Sequence, residues 1–124
     1  MKTVFCDIDG VIFEHPENFL DLYKKVLVNP VGNPIPGSKE KILEWFSLGY
    51  KIIFTTGRPE SEYNIIWKAL TDHGFYFDQL IMNCGADQRF VINDINPLEP
   101  ERQKAFGINT LRNYGLKDVF IPKD

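Results

Sequence analysis

The sequence predicts an α/β fold with a mainly parallel central sheet, and three observations predict it. Two short runs, TVFC at Thr3–Cys6 and YKIIFTT at Tyr50–Thr56, are apolar enough to be buried on both faces, as strands in the middle of a parallel sheet are. Amphipathic stretches with apolar residues three and four apart alternate with those runs. Each clear strand ends in polar residues, which is where an open parallel sheet collects its ligand-binding groups.

Taken in order, Thr3–Cys6 is the first strand. The segment from Glu14 to Gly37 is an irregular excursion. Its ENFLDLYKKVL has the spacing of one short helix, whereas NPVGNPIPG carries too many prolines and glycines for a long regular element. Ser38 then caps a helix that runs to Leu48 with Ile42, Trp45 and Phe46 on one face, and Gly49 stops it. The second strand, Tyr50–Thr56, ends in TGRP. The stretch SEYNIIWKALTDHG places Tyr63, Ile66, Trp67 and Leu70 on one helical face, and Gly74 follows. FDQLIMN (Phe77–Asn83) is expected as a third strand, RFVIND (Arg89–Asp94) as a fourth and AFGINTL (Ala105–Leu111) as a late fifth. Trp45 and Trp67 are expected in the core, and His73 at a helix C-terminus.

A chain of 124 residues suffices for one domain, expected here over residues 1–124. Its composition, 44% hydrophobic and 25% charged, is that of a soluble globular protein. A net charge of -3 gives no electrostatic reason to expect nucleic acid. Cys6 and Cys84 make no disulfide framework. No run resembles a signal peptide or a membrane span, so a cytoplasmic protein without membrane contact is expected.

The polar residues at the strand ends define the chemistry. Asp7 and Asp9 end the first strand, Thr55, Thr56 and Arg58 the second, Asn93 and Asp94 the expected fourth. Carboxylates at close range call for a cation, and hard oxygen ligands suit Mg²⁺. A Thr hydroxyl and an Arg guanidinium are donors for a phosphoryl group. One carboxylate can attack phosphorus, and a second can move the proton.

DIDGV resembles the first motif of the haloacid dehalogenase superfamily of phosphohydrolases, IIFTTGR its second and RFVIND its fourth. The three segments span Val4 to Asp94 in the family's order. The resemblance implies a three-layer, Rossmann-like domain and a Mg²⁺-dependent phosphatase working through an aspartyl phosphate. Asp7 matches the nucleophile and a Mg²⁺ ligand. Asp9 matches the general acid/base, with its main-chain carbonyl on the metal. Thr56, within Thr56-Gly57-Arg58, matches the phosphate-binding hydroxyl, and Thr55 is the fallback. Asp94 matches the acidic metal site, with Asn93 in place of a second carboxylate. The family's phosphate-binding lysine has no plain counterpart; Arg89 is the better-placed candidate and Lys68 the runner-up. The Glu14–Gly37 excursion is too short for a folded cap domain, so an uncapped, open site is expected, or one covered by a second subunit in a homo-oligomer. Such a site suits a phosphorylated small molecule or macromolecular end.

Each motif also has a plainer reading. Asp7 and Asp9 alone fit a solvated turn freed by Gly10, Thr56 and Pro59 a helix start, Asn93 and Asp94 an Asx turn before Pro97, and Arg89 a surface charge. Two rival functions follow: a receiver-like signalling domain phosphorylated on Asp, and a catalytically degenerate binding module. The spacing of the aspartates by Ile8 speaks against the first, Asn93 for the second.

Overall fold

The computed structural model describes residues 1–15 and 31–123. Strand β1 spans Thr3–Asp7, helix α1 Ser38–Ser47, strand β2 Lys51–Thr55, helix α2 Tyr63–Asp72 (entered through a 3₁₀ turn at Glu60–Glu62) and strand β3 Gln79–Ile81. The strands form a parallel sheet in the order β1-β2-β3. Asp7 pairs with Thr55, and Thr55 with Ile81, so the three carboxyl ends stand level. The fold class is the expected α/β with a parallel sheet. The expected short helix within the Glu14–Gly37 excursion, and with it the question of a cap, falls on residues outside those described.

Central β2 is buried on both faces through Ile52, Ile53 and Phe54. That accounts for its unbroken apolar run. Ile42 and Trp45 bury one side of α1, and Ile66 and Leu70 one side of α2, in a core shared with Cys6, Ile8, Ile12 and Phe13. Each such side chain contributes about 1.5–3 kcal/mol on leaving water. Phe46, expected on the face of Ile42 and Trp45, and Trp67, expected in the core, lie further out. Phe46 stacks on Tyr76, and Trp67 packs edge-on against Phe77 (centroids 5.0 Å apart) while remaining half exposed. Ser38 is not the helix cap either. Gly37 precedes the helix, and the Ser38 hydroxyl, wholly buried, donates to the Val11 carbonyl (2.8 Å) and accepts from the Leu116 amide (3.2 Å).

The expected fourth and fifth strands do not form. Residues 89–94 and 105–111 have no strand partner among the described residues, and Phe90 and Ile92 are 79% and 92% exposed. For a fourth strand beyond β3 the reason lies in the connection. A parallel strand beyond β3 needs a crossover of about a dozen residues or more, and Met82–Gln88 is shorter than that. The Arg89 guanidinium also folds this link back, donating to the carbonyls of Asp87 (2.9 Å) and Gly85 (3.0 Å). Among the described residues β1 is thus left as an open sheet edge.

Candidate active site

The end of β1 is shaped by the residue between the two aspartates. Ile8 is fully buried, and its carbonyl accepts from the amides of Val11 (3.1 Å), Ile12 (2.9 Å) and Phe13 (3.2 Å). Ile12 and Phe13 are buried with it. The loop is therefore pinned from beneath, with Asp7 and Asp9 on either side of the anchor. Gly10 makes the turn at φ +88°, a conformation that costs a side-chain-bearing residue energy, and its amide donates to Phe13 (2.7 Å).

The two carboxylates have different surroundings. Asp7 is exposed by area, yet enough protein crowds it that desolvation raises its pKa above the ordinary carboxylate range. The neighbouring Asp9 charge adds to the rise, while the Ile8 amide, Arg89 and His15 act against it. The Asp9 side chain, by contrast, is 18% exposed and held in a fork: Arg58 Nε donates to Oδ2 and Nη2 to Oδ1, each at 2.8 Å. Arg58 Nη1 reaches Glu62 Oε1 at 3.2 Å. The Asp9 hydrogen bond raises the Arg58 pKa further, so its charge is fixed.

The turn after β2 is stitched to the exit of β3. Thr56 donates its amide to Ile81 (3.0 Å), and its carbonyl accepts from Cys84 (2.9 Å); the Arg58 carbonyl accepts from Asn83 (2.7 Å). The Thr56 hydroxyl is buried and accepts from the Arg58 amide (3.1 Å), while Thr55 is half buried. Gly57 sits where a Cβ would come within 2.6 Å of the Gly85 carbonyl oxygen. Glycine there lets the 85–89 link lie against the turn, and this brings Arg89 close enough to act on Asp7. Lys68 stands on the outer side of α2, paired with Asp72.

The third carboxylate does not join the cluster. Asn93 and Asp94 are exposed, and Asp94 pairs with Lys104 at 3.6 Å. Among the described residues, no group of three or more His, Cys, Asp or Glu side chains stands together to hold a metal ion. The donor chemistry at Asp7 does suit a hard cation: a desolvated carboxylate beside a second carboxylate gains from one.

Sequence reasoning gave no role to His15, Glu62 or Arg112. Glu62 was legible, four residues beyond Arg58 at a helix entry. His15 follows the loop directly in sequence, whereas Arg112 approaches it only through tertiary structure. A cleft of about 260 Å³ also follows the open edge of β1 from Val4 to Asp7, walled by Ile108, Asn109 and Leu116.

The chain matches no protein-family profile and no curated protein with significance. Among solved structures it is similar to the D,D-heptose 1.7-bisphosphate phosphatase from B. bronchiseptica, whose crystal structure holds magnesium and phosphate, at 19% identity and a TM-score of 0.49 over 69% of this chain. The match spans about half of that protein, 51% of its length. A likeness that remote leaves the chemistry to be argued from the chain's own residues.

Proposed function

We propose that the chain is a Mg²⁺-dependent phosphomonoester hydrolase of the haloacid dehalogenase type, with Asp7 as nucleophile and Asp9 as general acid/base. The observation that carries this reading is the division of labour between two carboxylates one residue apart. Asp7 is open to a ligand, and Asp9 is aimed by the Arg58 fork. Asp7 attacks phosphorus, the bond to the leaving oxygen breaks, and Asp9, which takes up a proton from solvent as Arg58 turns to the phosphoryl oxygens, gives that oxygen its proton. Water then attacks the aspartyl phosphate, Asp9 takes the proton, and inorganic phosphate leaves with Asp7 regenerated. The Thr56 hydroxyl, the Gly57 amide and the cations of Arg58 and Arg89 are the groups proposed to hold the phosphoryl oxygens. Mg²⁺ on the Asp7 carboxylate and the Asp9 carbonyl would offset the repulsion between nucleophile and substrate. Asn93 and Asp94 enter that set only if Asp94 leaves Lys104.

The test is hydrolysis of an aryl phosphate under Mg²⁺ titration, with rapid quench and hydroxylamine trapping of the acyl phosphate. Metal-dependent turnover with a hydroxylamine-sensitive adduct at Asp7 supports the reading; absence of both overturns it. The exposure of Asn93 and Asp94 favours a second reading, a binding module that holds phosphate without cleaving it. Phosphate binding without turnover would select it.

A further inference from the structure

The loop that carries Asp9 is held by residues from the far end of the chain. The Asn113 side chain grips the main chain of His15 at both ends, accepting from its amide (2.7 Å) and donating to its carbonyl (3.1 Å). The Asn113 amide donates to the Gly10 carbonyl (2.8 Å). Asn113 does this in the left-handed conformation, at φ 65°, which asparagine tolerates better than most residues. The clamp lays the preceding side chain on the loop: the Arg112 Cγ lies 3.2 Å from where a Cβ of Gly10 would be.

Arg112 differs from the other arginines of the site. Arg58 and Arg89 are assigned to the first phosphoryl group, and without ligand Arg58 pairs with Asp9 and Glu62 and Arg89 with two carbonyls. Arg112 is exposed, and among the described residues no hydrogen bond or ion pair engages its guanidinium. Arg112 rests on the Gly10 side of the loop and is not among the groups that act on Asp7. We propose that Arg112, seated on Gly10 by the Asn113 clamp, is a specificity residue that binds a second anionic group on the alcohol part of the substrate. The substrate class is then a phosphomonoester that also carries a carboxylate or a further phosphate. A planar fork suits both oxyanions. This inference rests on the phosphatase reading for the position of the first phosphoryl group.

Binding without turnover separates the two. In an Asp7→Asn background with Mg²⁺, dissociation constants are measured for phenyl phosphate and 4-carboxyphenyl phosphate. Arg112 should favour the carboxylated ligand about tenfold, the effect expected of one charge-assisted pair. Arg112→Ala should bring that ratio to about one, and Arg112→Lys should restore part of it. Arg102→Ala, an exposed arginine paired with Glu99, should leave the ratio as it is. Arg112→Gln, which keeps the stem against Gly10, gives the same reading if the alanine variant does not fold. Binding of phenyl phosphate with no preference for the carboxylated ligand overturns this inference alone, as does an equal loss of both affinities in Arg112→Ala. Binding of neither ligand overturns it together with the phosphate site.

Discussion

The Arg58 guanidinium holds the Asp9 carboxylate with two parallel hydrogen bonds of 2.8 Å across 49 positions of sequence. Arg58→Lys keeps the charge and loses the fork, so Asp9 is no longer fixed in one orientation. A fall in kcat/KM of about 10–100-fold is expected, with Arg58→Ala lower still. Steady-state kinetics on an aryl phosphate check it. A lysine variant at wild-type rates would show that the fork is a structural ion pair only.

Asp7→Asn should abolish turnover, since an amide is a poor nucleophile, and should also stabilise the fold in a pH-dependent way. The folded-state pKa of Asp7 is raised, chiefly by desolvation. A raised carboxyl pKa favours folding while the group is protonated in both states, and that advantage is lost as pH rises through the folded value. The asparagine variant keeps the neutral form throughout. Its Tm should exceed the wild type by roughly 1–2 °C near pH 7, a small gain because solvent screens an exposed carboxylate. Below the ordinary Asp range, about pH 4, the two should converge. A Tm difference that is flat from pH 3 to 8 would contradict the assignment.

Asp9→Asn should separate the half-reactions. An activated aryl phosphate needs little help from an acid, so its phosphoenzyme should still form, while hydrolysis of the adduct slows by about 10²–10⁴-fold for want of a base. Rapid quench should therefore show the adduct accumulating. Equal slowing of both steps with every leaving group would remove Asp9 from proton transfer.

Gly57→Ala reaches the site through packing. Its Cβ would meet the Gly85 carbonyl oxygen at 2.6 Å, a main-chain atom with no rotamer to yield. The 85–89 link must move away, taking Arg89 with it. A stability loss of about 1–3 kcal/mol is expected, together with a higher KM for phosphate esters. Denaturant unfolding beside kinetics checks both; a variant as stable as wild type would mean that the link yields freely.

Most regular elements were legible because their signals are local. The apolar run of β2 and the spacing of Ile66 and Leu70 in α2 depend only on nearby sequence. Asp7, Asp9 and Thr56 could be placed together because parallel strands of similar length must end on one edge. The apolar pattern of Arg89–Asp94 is a local signal, whereas a parallel strand beyond β3 also needs a crossover longer than Met82–Gln88. The tie between Arg58 and Asp9 was equally out of reach. The sequence shows a cation suited to phosphate, and only the folded chain shows a carboxylate already occupying it.

The Ser38 hydroxyl joins Val11 to Leu116, and Asn113 joins Gly10 and His15 to the same late segment. Synthesis runs from the N-terminus at about 5–20 residues per second. A nascent chain therefore exposes both aspartates early, yet cannot brace the loop between them until Leu116 has cleared the ribosome. The loop that bears Asp7 and Asp9 is thus made early and braced late, and its geometry waits on residues more than a hundred positions downstream.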